Sequence, residues 1–237
     1  MSLTNLHTGL TLEQYRALRL AFIKQFEKSE QLVYFDSSAS NAHPTIGIGF
    51  NLDDLTTRAA VYTAMNVVSQ KDRAELDAII DDQAIRALPD GNGRSQRNGA
   101  LRATLNGYMQ SHFSRDFTME PTEIGSAFIS EANRRERDII APSSGIPVNA
   151  FSLEMIALLD AQYAGVYGSR IKKSLTFDGG NRAEAWFNLR YDWVNTTSNS
   201  DAAYAKRRYA EAALFGLNDT NGVSSDEARQ VFQMLQL

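Results

Sequence analysis

Glu27, Asp36 and Thr45 stand close together in the N-terminal quarter of the chain, and their types and order suit the hydrolysis of an acetal. Breaking a glycosidic bond takes an acid for the leaving oxygen and a second polar group that holds water or stabilises the developing cation. Leu20 and Ile23 fall on the same side of a helix as Glu27. Apolar neighbours disfavour the ionised carboxylate and would raise its pKa, as a general acid working near neutral pH requires. Asp36 opens the polar turn Asp36-Ser37-Ser38-Ala39-Ser40-Asn41, where a hydrated carboxylate would stay ionised. Surroundings that separate two carboxylates in this way are an acid/base arrangement. Thr45 begins a β-prone run and can hydrogen-bond a catalytic water. Glu30, one turn beyond Glu27, is the rival acid and reads as an exposed surface charge.

The elements that would position these groups follow from periodicity. Thr11 with Gln14 makes a capping box, and Leu12, Tyr15, Leu18, Phe22 and Phe26 recur at helical spacing. The pattern predicts a first helix over 11–30 with Glu27 near its end. Val33-Tyr34-Phe35 and Thr45-Ile46-Gly47-Ile48-Gly49-Phe50 read as strands of a small antiparallel sheet over 33–51, within a β lobe at 31–55. Strict alternation would put Ile46, Ile48 and Phe50 on one face and Thr45, Gly47 and Gly49 on the other. A face without side chains admits a bulky ligand such as a sugar strand, so Gly47 and Gly49 are candidate substrate contacts.

Segments near 56–69, 71–87, 95–114, 122–140, 152–168, 181–194, 201–215 and 224–236 carry apolar residues at spacings of three and four. Asn181 with Glu184 and Ser224 with Glu227 repeat the capping pattern, Pro121 suits a helix start, and Gly216 a helix stop. The linkers are 90–93 and 141–147, the second a candidate lobe boundary. The expected fold is α+β and mainly helical: one domain over 1–237. It comprises the small sheet lobe, a helical insertion at 56–150 and a C-terminal helical lobe at 151–237, with the cleft between sheet lobe and helices.

Composition narrows the function further. The chain has 237 residues, 43% hydrophobic and 22% charged, with a formal net charge of −4. Those values describe an ordinary soluble globular protein and argue against nucleic acid or an anionic membrane as the main partner. The absence of cysteine excludes disulfides and thiolate chemistry, and the three histidines, His7, His43 and His112, are too scattered to suggest a metal site. Asp219-Thr220-Asn221-Gly222 reads as a turn and not a calcium loop, since the first and last ligand positions would hold Leu217 and Ala228. No metal and no organic cofactor are expected. No apolar run is long enough for a membrane span, and Met1-Ser2-Leu3-Thr4-Asn5 does not begin a signal peptide.

Phe26-Glu27, Tyr34-Phe35-Asp36 and Thr45-Ile46-Gly47-Ile48-Gly49 resemble the active-site stretch of T-even-type phage lysozymes, glycoside hydrolase family 24. The chain also looks like the lysozyme domain of pesticin-type bacteriocins. The resemblance implies Glu27 as the acid, Asp36 as the water-positioning carboxylate, Thr45 as the third active-site group, and an inverting muramidase activity. Two departures are visible: the turn from Asp36 to Thr45 is longer here, and Lys28 follows the Glu where many members have Gly. Pesticin-type domains carry an acid just beyond the glycine strand; Asn51 holds that position here, with Asp53 and Asp54 close by. Asp53 is therefore the rival to Asp36 as second carboxylate. Leu158–Gly165, Arg182–Phe187 and Ala205–Tyr209 resemble the family's cleft-lining and last helices, so the likeness covers about half the chain.

Further candidates lie in that C-terminal third. Tyr163, Tyr191 and Trp193 can stack on sugar rings, although aromatics at helical spacing are commonly core. Gln162 can bind an acetamido group or satisfy buried backbone. Arg207, within Lys206-Arg207-Arg208, can pair with Glu27 or meet acidic peptide stems, against the plainer reading of a solvated face. The expected function is cleavage of the β-1,4 bond between N-acetylmuramic acid and N-acetylglucosamine in peptidoglycan, as a phage endolysin or antibacterial effector. Such a protein would be made in the cytoplasm and act in the periplasm or cell wall after holin-dependent release or injection. It would be a monomer, with an immunity protein as a possible partner. Rival readings are a chitinase- or chitosanase-like hydrolase, a lytic transglycosylase, and an inactive wall-binding or virion structural protein of the same fold.

Overall fold

The computed structural model describes residues 6–36, 42–88, 93–140, 146, 150–176, 180–191, 199–217, 229 and 233. In chain order its elements are α1 (Leu12–Ile23), β1 (Glu30–Phe35), β2 (Pro44–Gly47), β3 (Phe50–Asn51), α2 (Leu55–Ala64), α3 (Gln70–Ile80), α4 (Gln83–Arg86), α5 (Gly93–Phe113), α6 (Pro121–Ile139), α7 (Leu153–Tyr163), α8 (Ser169–Thr176), α9 (Arg182–Tyr191) and α10 (Asn199–Phe215). The architecture is α+β and mainly helical, with a three-stranded antiparallel sheet in the order β1-β2-β3. Two compact units emerge: Glu27–Glu131, and Met1–Phe26 with Ala132–Leu237. The division between them falls inside α6. No helix among the described residues is long and apolar enough to cross a membrane.

In the sheet unit, Val33, Phe35, Ile46, Ile48, Phe50 and Leu52 are buried, and α5 packs on β1. A free β1 edge would leave backbone groups unpaired. Asn98 Oδ1 accepts the Phe35 N–H at 2.7 Å, and Arg102 Nε donates to the Val33 carbonyl at 2.6 Å. Met119 N–H donates to the Gln31 carbonyl at 3.0 Å, beside an isolated bridge between Leu32 and Thr118. Buried Arg58 ties β3 to α3: its Nε reaches the Leu52 carbonyl at 2.5 Å, and its guanidinium meets Asp77 at 3.1 Å and Asp81 at 2.7 Å. α3 and α5, in segments that the sequence pattern reads as helical, thus hold the sheet.

In the helical unit, α7 is buried along nearly its whole length and packs on α1 and α10. Its Glu154, 1% exposed, accepts from Arg182 at 2.5 Å and meets His7 Nδ1 at 2.6 Å. Arg182 also donates to the Phe215 and Gly216 carbonyls, capping the end of α10.

The Thr11–Gln14 capping box, the start of α6 at Pro121 and the left-handed Gly216 after α10 agree with the sequence signals. Others are corrected. The first helix ends at Ile23, not at 28–30, because Gln25 and Phe26 N–H turn to the Phe22 and Ile23 carbonyls in tighter i→i−3 bonds. Its buried face is Tyr15, Arg19 and Ile23, whereas Leu12 and Leu18 are exposed. The 71–87 pattern breaks into α3 and α4, because Asp82 caps a new start by accepting the Ala84 N–H at 2.7 Å. The 152–168 helix stops at Tyr163, before left-handed Gly165, and α8 follows unforeseen. Most of the linkers 90–93 and 141–147, Trp193, Asp219–Gly222 and the Ser224/Glu227 start of the last helix lie outside the described residues.

The run 45–50 is not a single alternating strand. Gly47 and Gly49 have φ of +68° and +85°, and the chain reverses between Ile46 and Phe50, which pair across β2 and β3. A Cβ on Gly47 would lie 2.5 Å from the Phe50 ring. Gly47→Ala is therefore expected to lower the unfolding free energy by about 2–4 kcal/mol, adding left-handed strain to a core clash. Gly107→Ala, inside α5 with open space around its Cα, is expected to raise it by about 0.5–1 kcal/mol. Urea midpoints of the two variants check the pair of signs; a neutral Gly47→Ala would contradict the turn geometry.

Candidate active site

The sheet unit brings Glu27, Asp36, Thr45, Gly47 and Gly49 into one segment built on β1 and β2. Glu27 is half-buried and lies in the bend between the end of α1 and the start of β1, rather than on the helix. Asp36, exposed, directly follows β1. Glu30 pairs with Gly47 and Tyr34 with Thr45, so four steps along β1 match two along β2. Two steps of β2 rise only about 7 Å. The irregularity in β1 thus shortens the path between the Glu27 and Asp36 ends of the strand.

His43 closes the mouth of this hairpin. The Asp36 N–H donates to the His43 carbonyl at 3.1 Å, and the His43 N–H donates to Asp36 Oδ1 at 2.9 Å. Thr45, 4% exposed, donates its hydroxyl proton to the same His43 carbonyl at 3.2 Å. Thr45 can therefore meet a water only through its oxygen lone pairs, a narrower role than the sequence reading gave it. The bond from His43 N–H orients the Asp36 carboxylate, and Asp36 is exposed.

The rival carboxylate is already engaged. Asp53 Oδ2 meets His43 Nδ1 at 2.6 Å, and Asp53 Oδ1 accepts from Arg86 at 2.5 Å. Burial works against its charge, yet the hydrogen bonds and charges of Arg86 and His43 outweigh that and hold the carboxyl below the ordinary aspartate range. With both oxygens occupied, Asp53 is suited to fixing His43, and Asp36 is the freer group for orienting water.

The bare glycine face expected at Gly47 is not bare, since the Phe50 ring packs against it. Gly47 is buried and Gly49 half-buried, and the turn they form explains both without a ligand.

Gln162, Tyr163, Tyr191 and Arg207 belong to the helical unit. The Gln162 carbonyl accepts from Arg135 at 2.9 Å, and the same guanidinium lies 4.8 Å from the Tyr163 ring centroid. Tyr191 is half-buried against Trp186, Phe187 and Tyr209, with Arg190 over the Tyr209 ring at 3.8 Å. Arg207 is not on a solvated face. It is buried, grips Asp160 through two hydrogen bonds of 2.8 Å, and stacks near Phe26. Glu211 lies beside it, bonded to Arg208; burial and the neighbouring Asp160 carboxylate push its pKa up.

Sequence reasoning missed His43, Arg86, Asn98 and Arg102, which carry the geometry of the hairpin. Only the position of His43 two residues before Thr45 was a usable signal. Among the described residues no group of three or more His, Asp or Glu side chains converges as a metal site. Compared with known proteins, the chain matches no family model and no curated protein.

Because the folded-state pKa of Asp53 is depressed, its contribution to stability is present above the unfolded-state value and is lost as pH falls through the folded value. Asp53→Asn is expected to be less stable than wild type at about pH 7, with a narrower gap at about pH 3. Urea unfolding at both pH values measures this; a gap that is constant or widens on acidification would contradict the His43–Asp53–Arg86 linkage.

Proposed function

We propose that this chain is a lysozyme-like muramidase that hydrolyses the β-1,4 bond following N-acetylmuramic acid in peptidoglycan. The observation that carries the reading is the hairpin itself: Glu27 before β1, Asp36 after it, and Thr45 opposite Tyr34 on β2. The likeness to phage-type and pesticin-type lysozyme sequences supplies the roles. Glu27 protonates the glycosidic oxygen as the bond breaks. Asp36 orients a water for attack on the opposite face of the sugar, and Thr45 offers that water a second acceptor. Inversion follows from attack opposite the leaving group. The polar, solvent-open setting of Asp36 and the half-buried setting of Glu27 support this division of labour. Acting on peptidoglycan, the protein would work in the periplasm or cell wall.

Glu27→Gln keeps the side-chain shape and removes the transferable proton. It is expected to cost about a thousandfold in the release of soluble fragments from purified peptidoglycan, within the range of general acid catalysis. Glu30→Gln, at an exposed strand residue, is expected to retain wild-type activity. Retained activity in Glu27→Gln with loss in Glu30→Gln would overturn the assignment of the acid. Solubilisation of chitin oligomers in preference to peptidoglycan would overturn the substrate.

A further inference from the structure

We propose that the helical unit carries a second binding site, for a small organic anion with an apolar body. A cavity of about 550 Å³ opens among α1, the end of α6 and the start of α7. That size suits small-molecule sites, which run to roughly 300–1,000 Å³. The inference stands whether or not the chain cleaves glycans.

The lining splits into a charged part and an apolar part. Arg19, 1% exposed, donates to Glu136 Oε1 at 2.5 Å and to Asn133 Oδ1 at 3.0 Å. Tyr15 donates its hydroxyl to the same Glu136 oxygen at 2.6 Å. Burial, then the adjacent Glu136 carboxylate, raise the Tyr15 pKa, so the phenol stays a donor. Among the described residues Glu136 is the one acid lining the cavity, and both bonds fall on its Oε1.

Arg16 from α1 and Arg137 from α6 also line the cavity, and both are exposed. Neither has an acid partner among the described residues. The described lining therefore holds three arginines against one glutamate, in a protein whose formal net charge is −4. A local positive field set in low-dielectric walls selects anions, although the molecule as a whole repels them. Guanidinium forks match carboxylate and phosphate oxygens in pairs.

The facing wall is apolar. Leu12 is a partly exposed leucine on the cavity side of α1, and Phe151 packs its ring 5.5 Å from that of Tyr15, with Met155 beside it. An exposed leucine next to an aromatic ring and two uncompensated arginines asks for a ligand with one charged end and one flat or aliphatic end. A bare inorganic anion would leave the apolar wall wet, and a neutral ring would leave Arg16 and Arg137 unused.

Calorimetric titration of the full chain with naphthalene-2-carboxylate, naphthalene-2-carboxamide and acetate separates these contributions. The carboxylate is expected to bind about tenfold tighter than the amide, a difference worth ~1.4 kcal/mol, and to weaken with added salt. Acetate is expected to show no binding at the same concentrations. Arg16→Gln/Arg137→Gln, checked for an unchanged circular dichroism spectrum, is expected to bring the carboxylate down to the affinity of the amide. Should the double variant fail to fold, Arg16→Gln alone is expected to close part of that gap. Equal binding of carboxylate and amide, binding of acetate as strong as that of the carboxylate, no binding of any of the three, or an undiminished affinity in the folded variant would each overturn the proposal.

Discussion

At the neck of the β1–β2 hairpin, the His43 backbone exchanges hydrogen bonds with Asp36, its carbonyl takes the Thr45 hydroxyl proton, and its ring rests on Asp53. One residue thereby sets the direction of the candidate water-positioning carboxylate, the donor state of the candidate threonine, and the occupation of the rival carboxylate. Arg86 completes the arrangement by holding the other oxygen of Asp53. A site built on a turn is precise only if its supports are rigid. Here the support runs from α4 through Asp53 and His43 to the mouth of the hairpin.

A related device recurs in both units: a buried arginine held by carboxylates, joined by backbone carbonyls at Arg58 and Arg182. Arg58 serves β3 and α3, Arg182 serves Glu154 and the end of α10, and Arg207 with Arg208 serves Asp160 and Glu211. Several of the largest fully buried side chains are arginines. Buried ion pairs add little net stability over well-packed apolar groups, but removing one partner strands the other at a cost of several kcal/mol. Their effect is therefore on specificity of packing.

This explains what could be read from the sequence and what could not. Local signals carried through: the Thr11–Gln14 box, Pro121 at the start of α6, Gly216 at the end of α10, and the antiparallel sheet itself. Apolar periodicity misled on α1, because Arg19 and not Leu18 is buried there, and an arginine that pairs with Glu136 leaves no trace in a hydrophobic pattern. Alternation misled at 45–50, because two glycines in left-handed conformation make a turn out of what reads as a strand. Glu27, Asp36 and Thr45 stand out in the sequence as a candidate set because their spacing is local; the structure puts Glu27 before β1, Asp36 after it and Thr45 on β2. His43, Asn98 and Arg102 were not, because their partners are defined by register and by packing across distant parts of the chain.

The proposed mechanism requires water to arrive on the face of the sugar opposite the bond that Glu27 would help to break, and that requirement leaves a stereochemical record. Time-resolved proton NMR of a defined peptidoglycan oligomer, read before mutarotation, reports the configuration of each new reducing end. Hydrolysis directed by Asp36 is expected to release the α-anomer first from the β-linked strand. First-formed β-anomer, or anhydro ends without a reducing sugar, would contradict it.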